Sequence, residues 1–566
     1  MRRTLLIMIQ DFLNGLKQEF QGYNASKLSK DLLAGLTVAA VALPLALAFG
    51  VSSGADAAAG LITAIIAGLV MSLLAGGYYQ ISGPTGAMAA ILTSLVVHYG
   101  MEGVFIATLL AGILLFLAGI LHLGKLTAFI PSPVITGFTS GIAVIIALGQ
   151  IDNFFGTVSE GTSAAAKLLS YTRLGFRPDP VSLGIGLFVV VFMLVFPKKW
   201  NAVVPASLLS IILATAFSIF AGLDVAVVGE IPKTLLPEQS LHFSMLSLSR
   251  ITPLLTPAVS IAALGMIESL LCGASAAHMT GIRLNSNQEL IAQGVGNILL
   301  PFFGGIPATA AIARTSVAIR SGAQTRLTGI FHAIGLLISM FLLAPVMSRI
   351  PMAALAGVLM VTAFRMNEWE AIRYIFSHHF KGAMIEFTAT MLATILFDLT
   401  TAIAIGVLIG LVFLVSRLSF IEINYGRVDM SRLGIQDPKL LDRYQNAMVA
   451  YITGPMIFAN TQSIEDIELS LNGTDTLLLS MRGVSNIDIS CAQTFRDLIA
   501  SLRRRGIDVA VCGLPAKAYR MMERSDLDEF IGKENFYWSV ETALSDLRPL
   551  PPCRKHPDQQ NAVIHC

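Results

Sequence analysis

From Asp31 to Arg417 the sequence runs repeatedly through apolar stretches almost free of charge, among them Gly103–Leu121, Val181–Phe196, Val203–Ala221 and Thr400–Val415. A helix needs about 20 such residues to cross the hydrocarbon core of a bilayer. Charged residues make up 13% of the chain, against about 25% in soluble proteins. Most of that deficit lies before Arg417, so this region is expected to be an all-α polytopic membrane domain. Counting apolar segments between charged or Gly/Pro breaks predicts about fourteen crossings. They fall near 31–50, 57–76, 84–98, 103–121, 131–149, 181–197, 203–221, 253–275, 287–303, 307–319, 327–345, 351–364, 383–397 and 400–416.

The distribution of positive charge orients the crossings. With the N-terminus inside, the cytoplasmic turns hold Lys125, Arg283, Arg320, Arg326, Arg365, Arg373, Lys381 and Arg417. The short outer turns around Ser52–Asp56, Gly100–Glu102 and Asp398 hold no Lys or Arg. Outer cations such as Lys167, Arg173 and Arg177 fall in long connections, where the positive-inside bias matters less. An even number of crossings returns the C-terminal region to the cytoplasm. Residues 1–30 lack an apolar stretch long enough for a signal peptide and read as a cytoplasmic amphipathic lead-in. The five cysteines are Cys272, Cys491, Cys512, Cys553 and Cys566; no pair has metal-ligand spacing. Neither a metal site nor a disulfide framework is expected, which fits a reducing compartment. A net charge of +2 argues against a nucleic-acid binder.

Two of the short segments match. One begins Gln80-Ile-Ser-Gly-Pro-Thr-Gly-Ala-Met, the other Phe302-Phe-Gly-Gly-Ile-Pro-Ala-Thr-Ala-Ala. Each is a Gly-containing break, a Pro suited to a first helical turn, then small residues and an apolar half-length helix. They occupy corresponding places in two halves of roughly seven crossings each, and an odd-numbered repeat must be inverted. Paired Gly/Pro-interrupted segments in inverted halves are the best sequence pointer to a transporter's binding site. The two helix N-termini present unpaired N–H groups and dipole ends that favour anions. Ser82, Thr85 and Thr309 add hydroxyls, while Gly83, Gly86, Ala308 and Ala310 let a ligand approach the backbone. Arg314 follows two turns after Pro307, and a cation at that depth should face a cavity or a partner. Glu268 is the only carboxylate of the eighth crossing and is placed to carry a proton. Gln293 and Asn297 read as inter-helix hydrogen bonders. Gly137/Gly141 and Gly406/Gly410 read as sites of close helix packing.

From Ala447 the pattern changes. Met448–Thr453, Thr476–Met481 and Val509–Cys512 read as strands; Ile464–Leu471, Cys491–Arg504 and Ala516–Arg524 read as helices. A small α/β domain is expected over 438–548. The Pro-rich tail 549–566 is expected to be disordered.

Asp31-Leu-Leu-Ala-Gly-Leu-Thr-Val-Ala-Ala-Val-Ala-Leu-Pro, Ile81-Ser-Gly-Pro-Thr-Gly, Asn285-Ser-Asn-Gln-Glu-Leu-Ile-Ala-Gln-Gly-Val-Gly-Asn and Phe303-Gly-Gly-Ile-Pro-Ala resemble the sulfate permease (SulP) family. The C-terminal region resembles a STAS domain. The resemblance covers almost the whole chain. It implies a core and a gate domain built from a 7+7 inverted repeat, usually dimeric, with substrate between crossings three and ten and near crossings one and eight. Ile267-Glu-Ser-Leu-Leu-Cys and Ala308-Thr-Ala-Ala-Ile-Ala-Arg look most like the bacterial C4-dicarboxylate branch, a group of proton symporters. That resemblance implies a multi-pass protein of the bacterial inner membrane with both termini cytoplasmic. The sodium-dependent bicarbonate branch has Asp at the place of Glu268 and Thr at the places of Cys272 and Ile312; without those hydroxyls a hard Na⁺ loses oxygen ligands. One departure is Leu45 after Pro44, where many members have Gln. In the STAS-like region Asp488-Ile-Ser-Cys matches the anti-sigma antagonists' phosphorylated motif at Ser490, a residue that would equally serve as the N-cap of its helix. A STAS-like domain implies a possible cytoplasmic protein partner.

The expectation is therefore proton-coupled uptake of C4-dicarboxylates or sulfate across a lipid bilayer, with no cofactor. Sodium-coupled bicarbonate transport and a passive anion channel or exchanger are the alternatives; a channel would need no titrating carboxylate at Glu268. A nucleobase transporter fits Arg314 and the STAS-like tail less well. No nucleotide loop, metal cluster or nucleophile motif points to an enzyme.

Overall fold

The computed structural model describes residues 2–125, 130–160, 164–197, 200, 205–231, 233–397, 399–428 and 444–546. The outer turn at Asp398, the first residues of the expected 438–548 domain and the 549–566 tail lie outside the described residues. The helices of the apolar region follow in order: α1 (Arg2–Glu19), α2 (Ala25–Ser52), α3 (Ala57–Leu74), α4 (Gly86–Ile120), α5 (Ser132–Gly149), α6 (Ile151–Phe155), α7 (Ala164–Leu174), α8 (Pro180–Val195) and α9 (Ala206–Phe220). Then come α10 (Leu248–Thr280), α11 (Ser286–Leu299), α12 (Ile312–Arg320), α13 (Leu327–Met347), α14 (Met352–Met366), α15 (Trp369–Ser377), α16 (Lys381–Leu396) and α17 (Leu399–Leu418).

Each apolar segment contains a helix, and α4 serves two of them. It turns at Gly100, whose φ of 64° and ψ of −174° suit glycine alone among ordinary residues. Among the described residues, 6 helices are long and apolar enough to cross a membrane, and shorter apolar helices include α8, α9 and α14. Side-chain caps fix several starts: Asn24 accepts from the Lys27 amide at 3.0 Å and Asp56 from the Ala59 amide at 2.6 Å, each occupying an amide with no partner inside its helix.

The chain divides into two compact units, Met1–Gly410 and Leu411–Cys566. In the first, α2, α3, α4, α10, α11, α12 and α13 pack as one bundle, with α11 on α4 and α13 on α2 and α3. A second bundle sets α5 against α16 and α14 against α5 and α8, with α9 on α8. In the first bundle, a Cβ at Gly112 would lie 2.6 Å from the Ile298 amide nitrogen, so only glycine lets α4 and α11 approach this closely. In the second, Gly137 and Gly141 abut Phe387 and Thr394 of α16, while Gly406 and Gly410 abut Val134 and Pro131. These glycines serve helix packing within the chain.

The N-terminal lead-in is anchored by two buried carboxylates. Glu19 accepts from the Arg326 amide at 2.6 Å and its Nε at 2.7 Å. Asp31 accepts from the Gln324 and Thr325 amides and from the hydroxyls of Thr325, Thr328 and Tyr23, all between 2.6 and 3.0 Å. Both therefore cap the start of α13, where negative charge is favourable.

The second unit holds a five-stranded sheet in sequence order: β3 (Glu422–Arg427), β4 (Ala447–Thr453), β5 (Thr476–Gly483), β6 (Asp508–Cys512) and β7 (Phe536–Tyr537). Strand β3 is antiparallel to β4 and the other pairs are parallel. Strands β4 to β6 match the expectation. The edge strands β3 and β7 were not expected, because β3 is polar and largely exposed and β7 has two residues. The helix α19, after α18 (Thr461–Glu465), runs Ile489–Arg504 and buries Phe495, Ile499 and Leu502. Its N-cap is Asp488, which accepts from the Cys491 amide at 2.8 Å, so Ser490 is not the cap. It lies in the first turn, partly buried, because the helix starts at Ile489 with Asp488 as its cap.

Candidate functional site

The two short broken segments meet as a ladder of two strands that precede the half-helices. Strand β1 (Ser82–Gly83) pairs antiparallel with β2 (Thr309–Ala310), Ser82 facing Ala310 and Gly83 facing Thr309. This corrects the expected helix starts. Pro84 precedes the Thr85 N-cap of α4, and Pro307 lies ahead of β2, five residues before α12 begins at Ile312. Extended pairing takes the two residues before Pro84 and the second and third after Pro307, so neither ring enters a first helical turn. Arg314 consequently sits in the first turn of α12 instead of two turns inside it.

Much of the expected donor set is committed to the scaffold. The Ala308 amide donates to Asn297 Oδ1 at 2.9 Å and its carbonyl accepts from Asn297 Nδ2 at 2.9 Å. Thr309 Oγ1 lies 2.7 Å from Ser269 Oγ on α10, which also accepts from the Ala310 amide at 3.3 Å. Ser82 Oγ accepts from Gln293 at 2.9 Å, and Gln293 also donates to Glu289 at 2.8 Å. The free helix start is thus Ile312–Ala313, both exposed, together with Gly86–Ala87. First-turn amides have no partner in their own helix.

Four residues that hold the site had no role in the sequence reading. Ser269 braces β2; Gln80 donates to the Ser269 carbonyl at 2.8 Å; Thr315 Oγ1 accepts from the Ile81 amide at 3.0 Å; and Glu289 accepts from the Gly76 amide at 3.0 Å. Their polarity within the apolar region was the available signal.

Arg314 reaches back from α12 to the loop before α4. Its Nη2 donates to the Pro84 carbonyl, and its guanidinium fills the space that a Cβ at Gly83 would need. Arg314 is 2% exposed, and its Nη1 has no hydrogen-bond partner among the described residues. Beside it, Thr85 Oγ1 donates to Glu268 Oε2 at 2.9 Å and accepts from the Met88 amide at 3.4 Å. Glu268 is partly exposed and, among the described residues, forms no ion pair with Arg314. Two half-helix N-termini, a buried guanidinium and a nearby carboxyl meet at one place.

Comparison with known proteins assigns the chain to a family. Residues 28–393 match the sulfate permease family and residues 439–543 the STAS domain. The chain belongs to the sulfate permease family. YvdB of Bacillus subtilis is 35% identical over 530 residues, covering 92% of this chain and 97% of that one. The bicarbonate transporter BicA of Picosynechococcus is 30% identical over 541 residues, covering 91% and 94%. The solved transmembrane domain of a cyanobacterial BicA superposes with a TM-score of 0.63 at 32% identity, covering 67% of this chain and 98% of that one. The murine Solute Carrier 26 family member A9 structure gives a TM-score of 0.82 at 18% identity over 95% of this chain and 94% of its own, which shows the shared fold. As a member of this family the chain is a multi-pass membrane anion transporter and not an enzyme.

Proposed function

We propose that the chain performs secondary active uptake of small anions, coupled to protons through Glu268, with C4-dicarboxylates or sulfate as substrate. The observation that carries this reading is the buried Arg314 Nη1, packed against Gly83 and without a hydrogen-bond partner among the described residues. A cation so placed is costly unless an anion completes it. Substrate would lie against Gly83, Thr85, Gly86 and the start of α12, with Ser82, Ala308, Thr309 and Ala310 shaping the backbone behind it.

Thr85 supplies a route for coupling. While Glu268 is ionised, the Thr85 hydroxyl donates to it and a carboxylate repels an incoming anion. Once Glu268 is protonated, the repulsion is gone and the Thr85 hydroxyl is free to donate to the anion. Proton and anion then favour each other's binding reciprocally.

Sodium-coupled bicarbonate transport is the second reading, favoured by the names of the BicA relatives. Against it, the Cys272 thiol donates to Thr315 and Ile312 is apolar at the helix start, so neither position offers Na⁺ an oxygen. Further parts of the proposal are a homodimer in the bacterial inner membrane, about fourteen crossings and both termini in the cytoplasm. So too are the division into 1–30, 31–417 and 438–548, and a STAS surface around Ser490 that receives a protein partner or phosphate. The deciding experiment uses purified protein in proteoliposomes with sulfate, succinate, fumarate, aspartate and bicarbonate, under separately imposed pH and Na⁺ gradients. Accumulation of succinate or sulfate driven by an inward proton gradient is expected; accumulation of bicarbonate alone, driven only by Na⁺, would overturn the reading.

A further inference from the structure

A cavity of about 470 Å³ lies between the two bundles, lined by later turns of the first half-helix and not by Ser82–Gly86 or Ala308–Arg314. Its walls come from α4 (Ser94, His98), α5 (Ile146), α7 (Lys167), α10 (Ser260) and α16 (Thr394). Its floor is close to the site: Ile146 and Phe49 are the side chains that a Cβ at Gly86 would meet. One layer of apolar side chains therefore separates the cavity from the N-terminus of α4.

The charge of the lining is one-sided. Among the described residues, Lys167 lines it and no Asp or Glu does. Of the carboxylates flanking α7, Glu160 pairs with Arg173, Asp152 accepts from Ser159 at 2.5 Å and Tyr171 at 2.7 Å, and Asp179 accepts from the Ser182 amide at 2.8 Å. Lys167 itself forms no ion pair among the described residues. His98 is engaged at Nδ1 with the Ser94 carbonyl at 2.8 Å. A cleft with low-dielectric walls and a single sign of charge raises the local concentration of counter-ions.

We propose that this cavity is an anion-collecting vestibule above the half-helix site, and that Lys167 is the charge that collects. Its ligands are small anions in transit, with divalent ones favoured because each feels twice the attraction of a monovalent one. This rests on the anion-transport reading for what lies below the floor, but the charge of the cavity is measurable without it.

The test uses the full-length chain with Cys553 and Cys566 replaced by Ser and Ser94→Cys as a reporter. Methanethiosulfonate reagents of negative and positive charge are applied to it in proteoliposomes. The ratio of anionic to cationic reaction rates is expected to fall about five-fold or more in Lys167→Glu, to stay near the parent value in Lys167→Arg, and to lose its dependence on residue 167 at about 1 M salt, where the screening length is roughly 3 Å. In the same vesicles, KM for sulfate or succinate uptake should rise several-fold in Lys167→Glu with maximal rate unchanged. A rate ratio identical in Lys167→Glu and parent overturns the proposal, as does an unchanged KM in a variant that still transports. A shifted ratio in a protein that carries none of sulfate, succinate and bicarbonate would support the collecting cavity while defeating the transport reading.

Discussion

Arg314 and Glu268, on different helices, take hold of neighbouring residues of one loop: the guanidinium donates to the Pro84 carbonyl, and the carboxylate accepts the Thr85 hydroxyl at 2.9 Å. They flank the start of α4 and, among the described residues, form no ion pair with each other. Arg314→Ala is therefore expected to weaken anion binding by roughly ten- to a hundred-fold, the range of one buried charge-assisted contact of about 1.5–3 kcal/mol. Arg314→Lys should recover only part, since an ammonium cannot hold Pro84 and an anion with one planar fork. Direct binding of substrate to the purified variants checks this; equal affinity in folded Arg314→Ala would remove the ligand role.

Gly83→Ala leaves every charge in place and introduces one methyl where the Arg314 guanidinium lies. The guanidinium has to move, so affinity should fall in the same direction as in Arg314→Ala. Combining the two substitutions should cost little beyond Arg314→Ala alone, which a double-mutant cycle reads directly.

Glu268→Gln keeps the shape of the protonated form. It should bind and exchange anion but lose accumulation driven by an inward proton gradient. Thr85→Val removes the hydroxyl that both partners would use, and should weaken anion binding while leaving some proton-driven accumulation. Full accumulation in Glu268→Gln would make this glutamate a structural carboxyl.

The pair Glu19–Arg326 is almost entirely buried, with side chains 0% and 6% exposed. Removing one partner of such a pair typically costs about 3–5 kcal/mol, because the other charge is left uncompensated. Glu19→Ala should lower the apparent melting temperature of the membrane unit in detergent. Glu19→Ala with Arg326→Met should recover part of that loss. No change in either variant would mean that α1 is not held there.

In the second unit, burial pushes the thiols of Cys491 and Cys512 up to about 12. A raised thiol value means the neutral form persists through physiological pH, and the thiolate is the reactive species. With Cys553 and Cys566 replaced by Ser, both should resist iodoacetamide at pH 8 in the native protein and react only after denaturation. Rapid native labelling would show that the sheet opens readily.

The bundle was legible because hydrocarbon imposes one rule on every apolar run, and the breaks at Gly83-Pro84 and Gly305-Ile306-Pro307 are visible exceptions to it. The helix starts were not legible. Proline suits a first turn as well as it suits the residue before a cap, and only long-range pairing of β1 with β2 decides between them. For the same reason Thr309 looked like a free donor: nothing local announces that Ser269, forty residues earlier on α10, will claim its hydroxyl. Arg314 and Glu268 were legible because a charge within an apolar segment is conspicuous at any depth. Edge strand β3 was hidden by its polar composition, since a solvated edge needs little apolar surface.

The two-rung pairing of Ser82 with Ala310 and Gly83 with Thr309 stitches the two broken segments together at the very point where an anion would rest. Prising the half-helices apart would break backbone hydrogen bonds in a medium that offers no replacement. A cargo held there cannot be released by widening its own cradle. It has to travel with the cradle, and the yielding surface must be the seam between the two bundles.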